Sequence, residues 1–186
     1  MNVAQLPLVG PVVRRMLGDE WGAATFGRKA TPPGLLAGLL QTSDLLLDVT
    51  VEDRDDLFEL IGEHMKSVHG LEVASVVRGL GRRERMGSTA VGEGVAIPHA
   101  RISELDRIEL AYFRLSEAIP FDAPDDKLVT DIFVILVPKK AMEEHLMILA
   151  EVSRLFSNLR FREHLHRCAT PEEVKDLFLK DVSQAP

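Results

Sequence analysis

Apolar residues follow two alternating patterns along this chain, one with helical spacing and one in short continuous runs. Helical spacing predicts amphipathic helices over Glu52–Val68, Leu71–Arg85, Ala141–Phe156, Asn158–Arg167 and Thr170–Leu179, with a shorter one at Leu35–Leu40. The continuous runs predict strands at Leu45–Val49, Val95–Ile97, Ile108–Leu115 and Val129–Val137. Helices and strands therefore alternate through most of the sequence.

This alternation predicts the fold class. The run Val129–Val137 is almost wholly apolar, which is typical of a central strand covered on both faces. We therefore expect an α/β fold: a single three-layer domain whose mixed parallel/antiparallel sheet is flanked by helices on both faces. The short turn at Asp122–Asp126 leaves open whether the strands before and after it pair antiparallel.

Length and composition divide the chain into three parts. Its 186 residues, 46% of them hydrophobic, suit one domain with an extension. Residues 1–33 are interrupted by prolines and glycines and are expected to form a flexible N-terminal extension. Residues 34–182 would form the domain, and residues 183–186 a frayed tail.

Charge and cysteine content exclude several classes of protein. The net charge of −7 argues against a general nucleic-acid binder. A lone cysteine, Cys168, excludes an internal disulfide framework and fits a reducing compartment. The sequence shows neither an apolar run long enough to span a membrane nor a signal-peptide pattern, so we expect a cytoplasmic protein without membrane insertion.

The stretch from Arg83 to Arg101, RERMGSTAVGEGVAIPHAR, carries the candidate chemistry. Its three glycines make the backbone permissive, and Pro98 restricts the preceding residue to extended geometry. His99 would then be presented just after a buried strand. A nucleophilic nitrogen, hydroxyl groups and a guanidinium are what a phosphoryl site needs. The stretch fits neither the dinucleotide fingerprint nor a P-loop, and local chemistry alone leaves open a loop that binds nothing.

The same stretch resembles a known signature. The segments that carry the resemblance are Arg83–Glu84, Gly87–Thr89, Gly92–His99, Ala100–Arg101, Phe113–Leu115, Ile119–Pro124 and Glu144–Glu151. In order and spacing they are similar to the phosphotransferase-system (PTS) Enzyme IIA domains of the fructose/mannitol type, most of all to the nitrogen-regulatory IIA proteins. The resemblance covers roughly residues 39–179.

The resemblance implies the roles of individual residues. His99 would accept a phosphoryl group, Arg83 would face its oxygens, and His145 would be the second active-site histidine. Ser88 and Thr89 would lie near the phosphoryl group. Two acidic neighbours could hold the imidazole of His145 or raise its pKa, and the sequence leaves this open. The implied chemistry requires no metal, nucleotide or other cofactor.

The resemblance also implies partners and leaves rival functions. A PTS phosphotransferase component of this kind takes phosphate from an HPr-like phosphocarrier. It can act on regulatory targets such as sensor kinases or potassium transport components. One rival is a sugar-specific IIA that passes phosphate to a IIB domain, and another is a binding module that is never phosphorylated. A metallohydrolase using His99 and His145 lacks a third spaced ligand.

The remaining charged residues and histidines have structural explanations. Arg82 and Arg85 are expected to be favoured by the dipole at the end of their helix. His64 and His69 have no partner at metal-ligand spacing. His164 and His166 are two residues apart on a helix, which points them to different faces.

Overall fold

The computed structural model describes residues 35–140 and 142–183. The predicted extension, 1–33, and most of the predicted tail, 184–186, lie outside these ranges. The helices are α1 (Leu35–Leu39), α2 (Arg54–His69), α3 (Val73–Arg85), α4 (Met142–Ser157), α5 (Leu159–Arg167) and α6 (Pro171–Ser183). The strands are β1 (Leu45–Val49), β2 (Ala90–Gly92), β3 (Val95–Ala96), β4 (His99–Arg101), β5 (Glu109–Ile119) and β6 (Val129–Val137). A short 3-10 turn, Thr42–Asp44, precedes β1.

The sheet is mixed, as the sequence predicted. Its strand order is β1-β5-β6-β3-β2, and β4 also pairs with β6. Strands β3 and β4 run parallel to β6, whereas β5 runs antiparallel to it. Strand β1 is parallel to β5, and β2 is antiparallel to β3. The apolar run Val129–Val137 is thus the central strand, and eight of its nine residues are buried because both faces are covered.

Two apolar layers cover the two faces of the sheet. Successive side chains on a strand point to opposite faces, so Phe133 and Ile135 join one layer while Ile132 and Val134 join the other. The first layer contains residues of α1, α4, α5 and α6. The second contains residues of α2 and α3. This is the three-layer arrangement that the sequence predicted.

Helix boundaries follow local capping chemistry. The Asp53 carboxylate accepts hydrogen bonds from the backbone N–H groups of Asp55 and Asp56, which caps α2. Gly70, in the left-handed region at φ 70°, ends the same helix. Asn158 caps α5 in the same way as Asp53 caps α2.

The segment before His99 differs from its prediction. The predicted strand over Val95–Ile97 ends one residue early, at Ala96, and His99 opens a new strand instead of following the old one. Pro98 separates the two strands because it has no N–H to donate, although its carbonyl accepts from the Ile135 N–H at 3.1 Å. A further strand, β2, occupies part of the stretch expected to be loop.

Candidate functional site

Three elements bring the predicted site residues together. Arg83 lies in the last turn of α3, His99 is the first residue of β4, and His145 lies in the first turn of α4. Ala100 packs in the layer of α2 and α3, so the alternation of β4 directs His99 to the opposite face, where α4 lies. The ring centroids of the two histidines are 5.3 Å apart.

Close packing of α3 on β4 fixes the position of Arg83. A Cβ atom at Gly79 would come within 3.1 Å of the Ala100 side chain and 3.0 Å of the Ile102 side chain. Glycine at this position therefore allows the helix to lie close against the strand. The guanidinium of Arg83 then reaches His99 and also donates to the carbonyl of Gly87 at 2.9 Å.

The hydrogen bonds of His99 define its tautomer. Nδ1 lies 2.8 Å from the backbone carbonyl of Ile97, which can only accept, so Nδ1 carries the proton. Nε2 then carries the lone pair, which accepts a hydrogen bond from Nε of Arg83 at 3.0 Å. His99 is 2% exposed. The structure thus places the lone pair of His99 on Nε2, with a guanidinium beside it.

His145 is held in its neutral form. It is 1% exposed, and burial lowers its pKa to about 4, helped by the charges of Arg101 and Arg83. The sequence left open whether acidic neighbours would raise this pKa. Burial and the two arginines lower it instead. At neutral pH the ring therefore has one N–H donor and one acceptor nitrogen.

Burial also lowers the pKa of Arg83, while the charge of Glu84 opposes the change. Since the ordinary value is so high, the guanidinium remains charged at neutral pH. A partly buried, charged donor beside Nε2 acts in surroundings less polar than water, where its interaction with an anion is stronger.

Ser88 and Thr89 form hydrogen bonds within the protein. The Ser88 hydroxyl donates to the carbonyl of Phe121 at 2.6 Å. The Thr89 hydroxyl donates to the buried carboxylate of Glu84 at 2.6 Å, and its backbone N–H donates to the same group at 3.1 Å. Both residues thereby shape the loop after α3, and their contact with a phosphoryl group stays a prediction.

Sequence reasoning missed two residues of this site. Glu84 was quoted for the resemblance, yet its role as the buried anchor of the Thr89 loop was not predicted. Arg101 was named only as the end of the stretch, although its charge acts on His145. The signal for Arg101 was its position two residues after His99, which places both on one face of a strand.

The other histidines lie outside this site. His64 and His69 contact Asp44, and His166 contacts Asp131. In the part of the chain that the structure describes, no group of three or more His, Cys, Asp and Glu residues could hold a metal ion. Within residues 35–140 and 142–183, every helix is too short or too polar to cross a membrane.

Comparison with known proteins shows which family the chain resembles. The family described as "Phosphoenolpyruvate-dependent sugar phosphotransferase system, EIIA 2" matches residues 39–181. A fructose-specific EIIA component from Haloferax volcanii is 33% identical over 154 residues, 82% of this chain and 86% of that protein. A nitrogen regulatory protein from Pseudomonas aeruginosa is 36% identical over 103 residues, 55% of this chain and 67% of that protein.

Solved structures show the same fold. The crystal structure of nitrogen regulatory protein IIA-Ntr from Neisseria meningitidis matches with a TM-score of 0.74 at 38% identity, over 77% of this chain and 99% of that one. The mannitol IIA of Escherichia coli matches with a TM-score of 0.64 at 18% identity, over 75% of this chain and 98% of that one. At that identity the mannitol protein supports the fold alone.

Proposed function

The chain belongs to the PTS EIIA type-2 family, and on that premise we propose that it is a phosphoryl carrier that accepts phosphate on Nε2 of His99. One observation carries the proposal. The Ile97 carbonyl holds the proton on Nδ1, which leaves the lone pair on the nitrogen beside Arg83. A neutral imidazole with a free lone pair is the form that can attack phosphorus.

The donor in this proposal is a phosphohistidine on an HPr-like phosphocarrier. The P–N bond of the donor breaks as a new P–N bond forms to Nε2 of His99. The Nδ1 proton of His99 remains on the ring, where the Ile97 carbonyl stabilises the positive charge that the ring gains. The donor bond already supplies a reactive phosphoryl group, so the step as written needs no nucleotide.

Arg83 and His145 would stabilise the transferring group. In a loose transition state, negative charge spreads over the three equatorial oxygens of the phosphoryl group. The Arg83 N–H that binds Nε2 in the resting site would turn to one of these oxygens as the new bond forms. His145, neutral at neutral pH, would donate its single N–H to another.

The output of this carrier is proposed to be regulatory. The likeness to nitrogen regulatory proteins supports a role in which phosphorylation of His99 changes binding to other proteins. Sensor kinases and potassium transport components are the target classes that the family resemblance suggests. The phosphoryl group would add a doubly charged anion to the site and thereby alter its fit to such a target.

A sugar-transport role is the second candidate. The fructose-specific relative from Haloferax volcanii, matched over 82% of this chain, favours it. In that role, His99 would pass phosphate to a sugar-specific IIB domain. Incubation of the phosphorylated protein with a fructose-type IIB distinguishes the two, because rapid loss of phosphate to the IIB supports transport and retention supports regulation.

Phosphate incorporation tests the proposal. The protein is incubated with Enzyme I, an HPr-type carrier and phosphoenolpyruvate, and intact mass is measured after acid and base treatment. We expect one acid-labile, base-stable phosphoryl group, absent from His99→Ala and present in the control His164→Ala, whose histidine is exposed on α5. Phosphate that persists in His99→Ala would exclude His99 as acceptor, and no incorporation into the wild type would favour a binding module that is never phosphorylated.

A further inference from the structure

A buried carboxylate follows directly after the arginine that contacts His99, in a place that helix stability does not favour. Glu84 is 7% exposed and belongs to the last turn of α3. The dipole at the C-terminal end of a helix favours cations, and burial of a carboxylate costs free energy. Sequences break such rules mainly at functional or strained sites. The groups that Glu84 binds therefore bear on the function of the site.

The carboxylate of Glu84 is bound by both the side chain and the backbone of Thr89. The Thr89 hydroxyl donates to Oε2 at 2.6 Å, and the Thr89 N–H lies 3.1 Å from each carboxylate oxygen. Thr89 is 0% exposed. The guanidinium of Arg54, 3.7 Å from Oε1, offsets part of the buried charge. We call the pair of Glu84 and Thr89 the clamp.

The clamp closes the loop that connects α3 to β2. Gly87 has a φ of 149°, which side chains other than glycine rarely adopt, so the chain can turn away from the helix here. Its N–H donates to the carbonyl of Glu84 at 3.1 Å. The hydroxyl of Ser88 donates to the carbonyl of Phe121. With Thr89 bound to Glu84, each of the three loop residues 87, 88 and 89 is held by a hydrogen bond.

The same loop holds the guanidinium of Arg83. Nη1 of Arg83 donates to the carbonyl of Gly87 at 2.9 Å, and Nε donates to Nε2 of His99 at 3.0 Å. A guanidinium is planar, so fixing one of its donors determines where the others point. The position of the Gly87 carbonyl therefore helps to set the direction of the N–H that Arg83 presents to His99.

Thr89 is also bonded to the strand side of the site. Its carbonyl accepts from the Ile97 N–H at 3.0 Å, and the Ile97 carbonyl accepts from Nδ1 of His99 at 2.8 Å. Thr89 is thus connected to the groups beside both ring nitrogens of His99, to one through Gly87 and to the other through Ile97. The bond to Ile97 involves backbone atoms alone, so a substitution of the Thr89 side chain tests the clamp and not this bond.

We propose that Glu84 and Thr89 are positioning residues, an inference that rests on the proposed function. Their clamp fixes the Gly87 carbonyl and thereby aims the Arg83 guanidinium at Nε2 of His99. The guanidinium then lies beside the nucleophilic nitrogen before the phosphoryl group arrives. A donor that is oriented in advance stabilises developing charge without the cost of reorganisation.

Two other roles of Thr89 lead to different expectations. A purely structural clamp would end α3 and stabilise the fold, without a specific effect on Arg83. A direct contact of the Thr89 hydroxyl with the phosphoryl group would slow transfer whether or not Arg83 is present. In the positioning role, the effect of Thr89 on the rate depends on Arg83, because Thr89 acts through that side chain.

The test is a double-mutant cycle on single-turnover phosphate transfer from a phosphorylated HPr-type carrier. Thr89→Val removes the hydroxyl and nearly keeps the shape of the side chain, and Thr89→Ser restores the hydroxyl. Thr130→Val is the matched control, because the Thr130 hydroxyl also donates to a carboxylate, that of Asp131, at 3.0 Å. Each variant is made in the wild type and in Arg83→Gln. The carrier concentration is varied to separate the maximal rate from half-saturation, and urea denaturation checks folding.

We expect Thr89→Val to lower the maximal rate about tenfold and to leave half-saturation unchanged, because the aim of the guanidinium is lost and the partner surface is not. In the Arg83→Gln background the same substitution should change the rate less than about twofold. Thr89→Ser should recover most of the rate, and Thr130→Val should match the wild type. An equal loss in both backgrounds would overturn the proposal, and so would the absence of a loss in the wild type.

A measurement on the free protein separates this proposal from the proposed function. Nuclear magnetic resonance detects the Arg83 Nε–H, which should exchange with solvent about tenfold faster in Thr89→Val than in the wild type or in Thr130→Val. This difference in a wild type that never gains phosphate would refute the proposed function and support the positioning role. Equal exchange in the three proteins would refute the positioning role, even where His99 is phosphorylated.

A second substitution keeps the test available if Thr89→Val does not fold. Glu84→Gln keeps the size of the side chain and removes the charge that accepts from Thr89. In the transfer assay and in the exchange measurement it should show the same losses as Thr89→Val. Wild-type behaviour of a folded Glu84→Gln in both measurements would overturn the proposal.

Discussion

Two pairs of histidines lie between helices and the sheet of this molecule, and their surroundings give them opposite chemistry. His99 and His145 have arginines as neighbours, and the N–H group of His99 donates a hydrogen bond to a backbone carbonyl. His64 and His69 both direct Nε2 to the buried carboxylate of Asp44, at 3.1 and 2.7 Å. The first pair keeps a lone pair for chemistry, and the second uses its nitrogens for structure.

His69 shows the contrast most clearly. Its Nε2 faces Asp44, and its Nδ1 lies 3.1 Å from the carboxylate of Glu109. Carboxylate oxygens therefore occupy both ring nitrogens, which leaves neither of them open to an incoming phosphoryl group. The neighbours of a histidine therefore decide whether it can accept phosphate.

Removal of the shared carboxylate would break the second pair and have the largest effect on stability. Asp44→Ala leaves two imidazoles, whose side chains are 9% and 6% exposed, without their shared partner, and we expect a loss of about 4 kcal/mol in the free energy of unfolding. Urea denaturation measures it. Asp176→Ala, exposed on α6, is the control and should change stability by less than about 0.5 kcal/mol. Similar stabilities of the two variants would refute the bracing role of Asp44.

Removal of the arginine beside His99 should affect the first pair through the rate of phosphate transfer. Arg83→Gln should lower the rate of phosphate transfer about 100-fold, because a donor aimed at the transferring group is lost. This corresponds to about 2.7 kcal/mol of barrier. Arg107→Gln, which removes an arginine bound to Glu109 near the second pair, is the matched control. Single-turnover kinetics with the phosphorylated carrier should separate the two variants, and equal rates would remove Arg83 from the mechanism.

The next prediction concerns His145 of the first pair, whose lowered pKa should make stability depend on pH. Burial lowers its pKa to about 4, below the unfolded value of 6.5. Between these values the unfolded chain binds more protons than the folded one, so stability falls as the pH falls. Relative to His145→Gln, the wild type should lose about 2 kcal/mol between about pH 7.5 and about pH 5. Parallel stability curves for the two proteins would show that His145 titrates normally.

The smallest effect on stability is expected at His166, which contacts one carboxylate and has a half-exposed side chain. The hydrogen bond from His166 to Asp131, 2.7 Å long, raises the pKa of His166, although burial opposes it. This contact stabilises the fold below the unfolded pKa, and its contribution is lost as the pH rises through the folded pKa. Because 52% of the side chain is exposed, water screens the charge, and we expect at most about 0.5 kcal/mol.

A pair of variants tests this smaller prediction. His166→Gln should lose stability relative to the wild type at about pH 5.5 and match it at about pH 8.5. His164→Gln, exposed on the same helix, should show no such dependence on pH. A greater loss for His166→Gln at the higher pH would give the opposite sign and contradict the direction of the pKa change.

The sequence allowed much of this to be predicted, because the signals were local. The run Val129–Val137 was identified as the central strand from its composition. The spacing of Arg83, His99 and His145 placed them in one site by resemblance, and the structure brings them together. Their catalytic roles stay predictions.

Features that depend on distant residues were not predictable. Asp44 is 20 residues before His64 and 25 before His69, and no pattern marks it as their shared partner. The neutral state of His145 depends on burial and on arginines from two other elements. Pro98 divides the predicted strand into β3 and β4, and both parts pair with β6. The local sequence around Pro98 carries no information about that pairing.

The hydrogen bond from His99 to Ile97 has a consequence for how such a site can diverge. The acceptor is a main-chain oxygen, so any amino acid at position 97 supplies it. Point mutations can therefore alter the surroundings of the ring while the proton stays on Nδ1 and the lone pair on Nε2. The atom that carries the lone pair is inherited with the backbone path, and the side chains around it can vary.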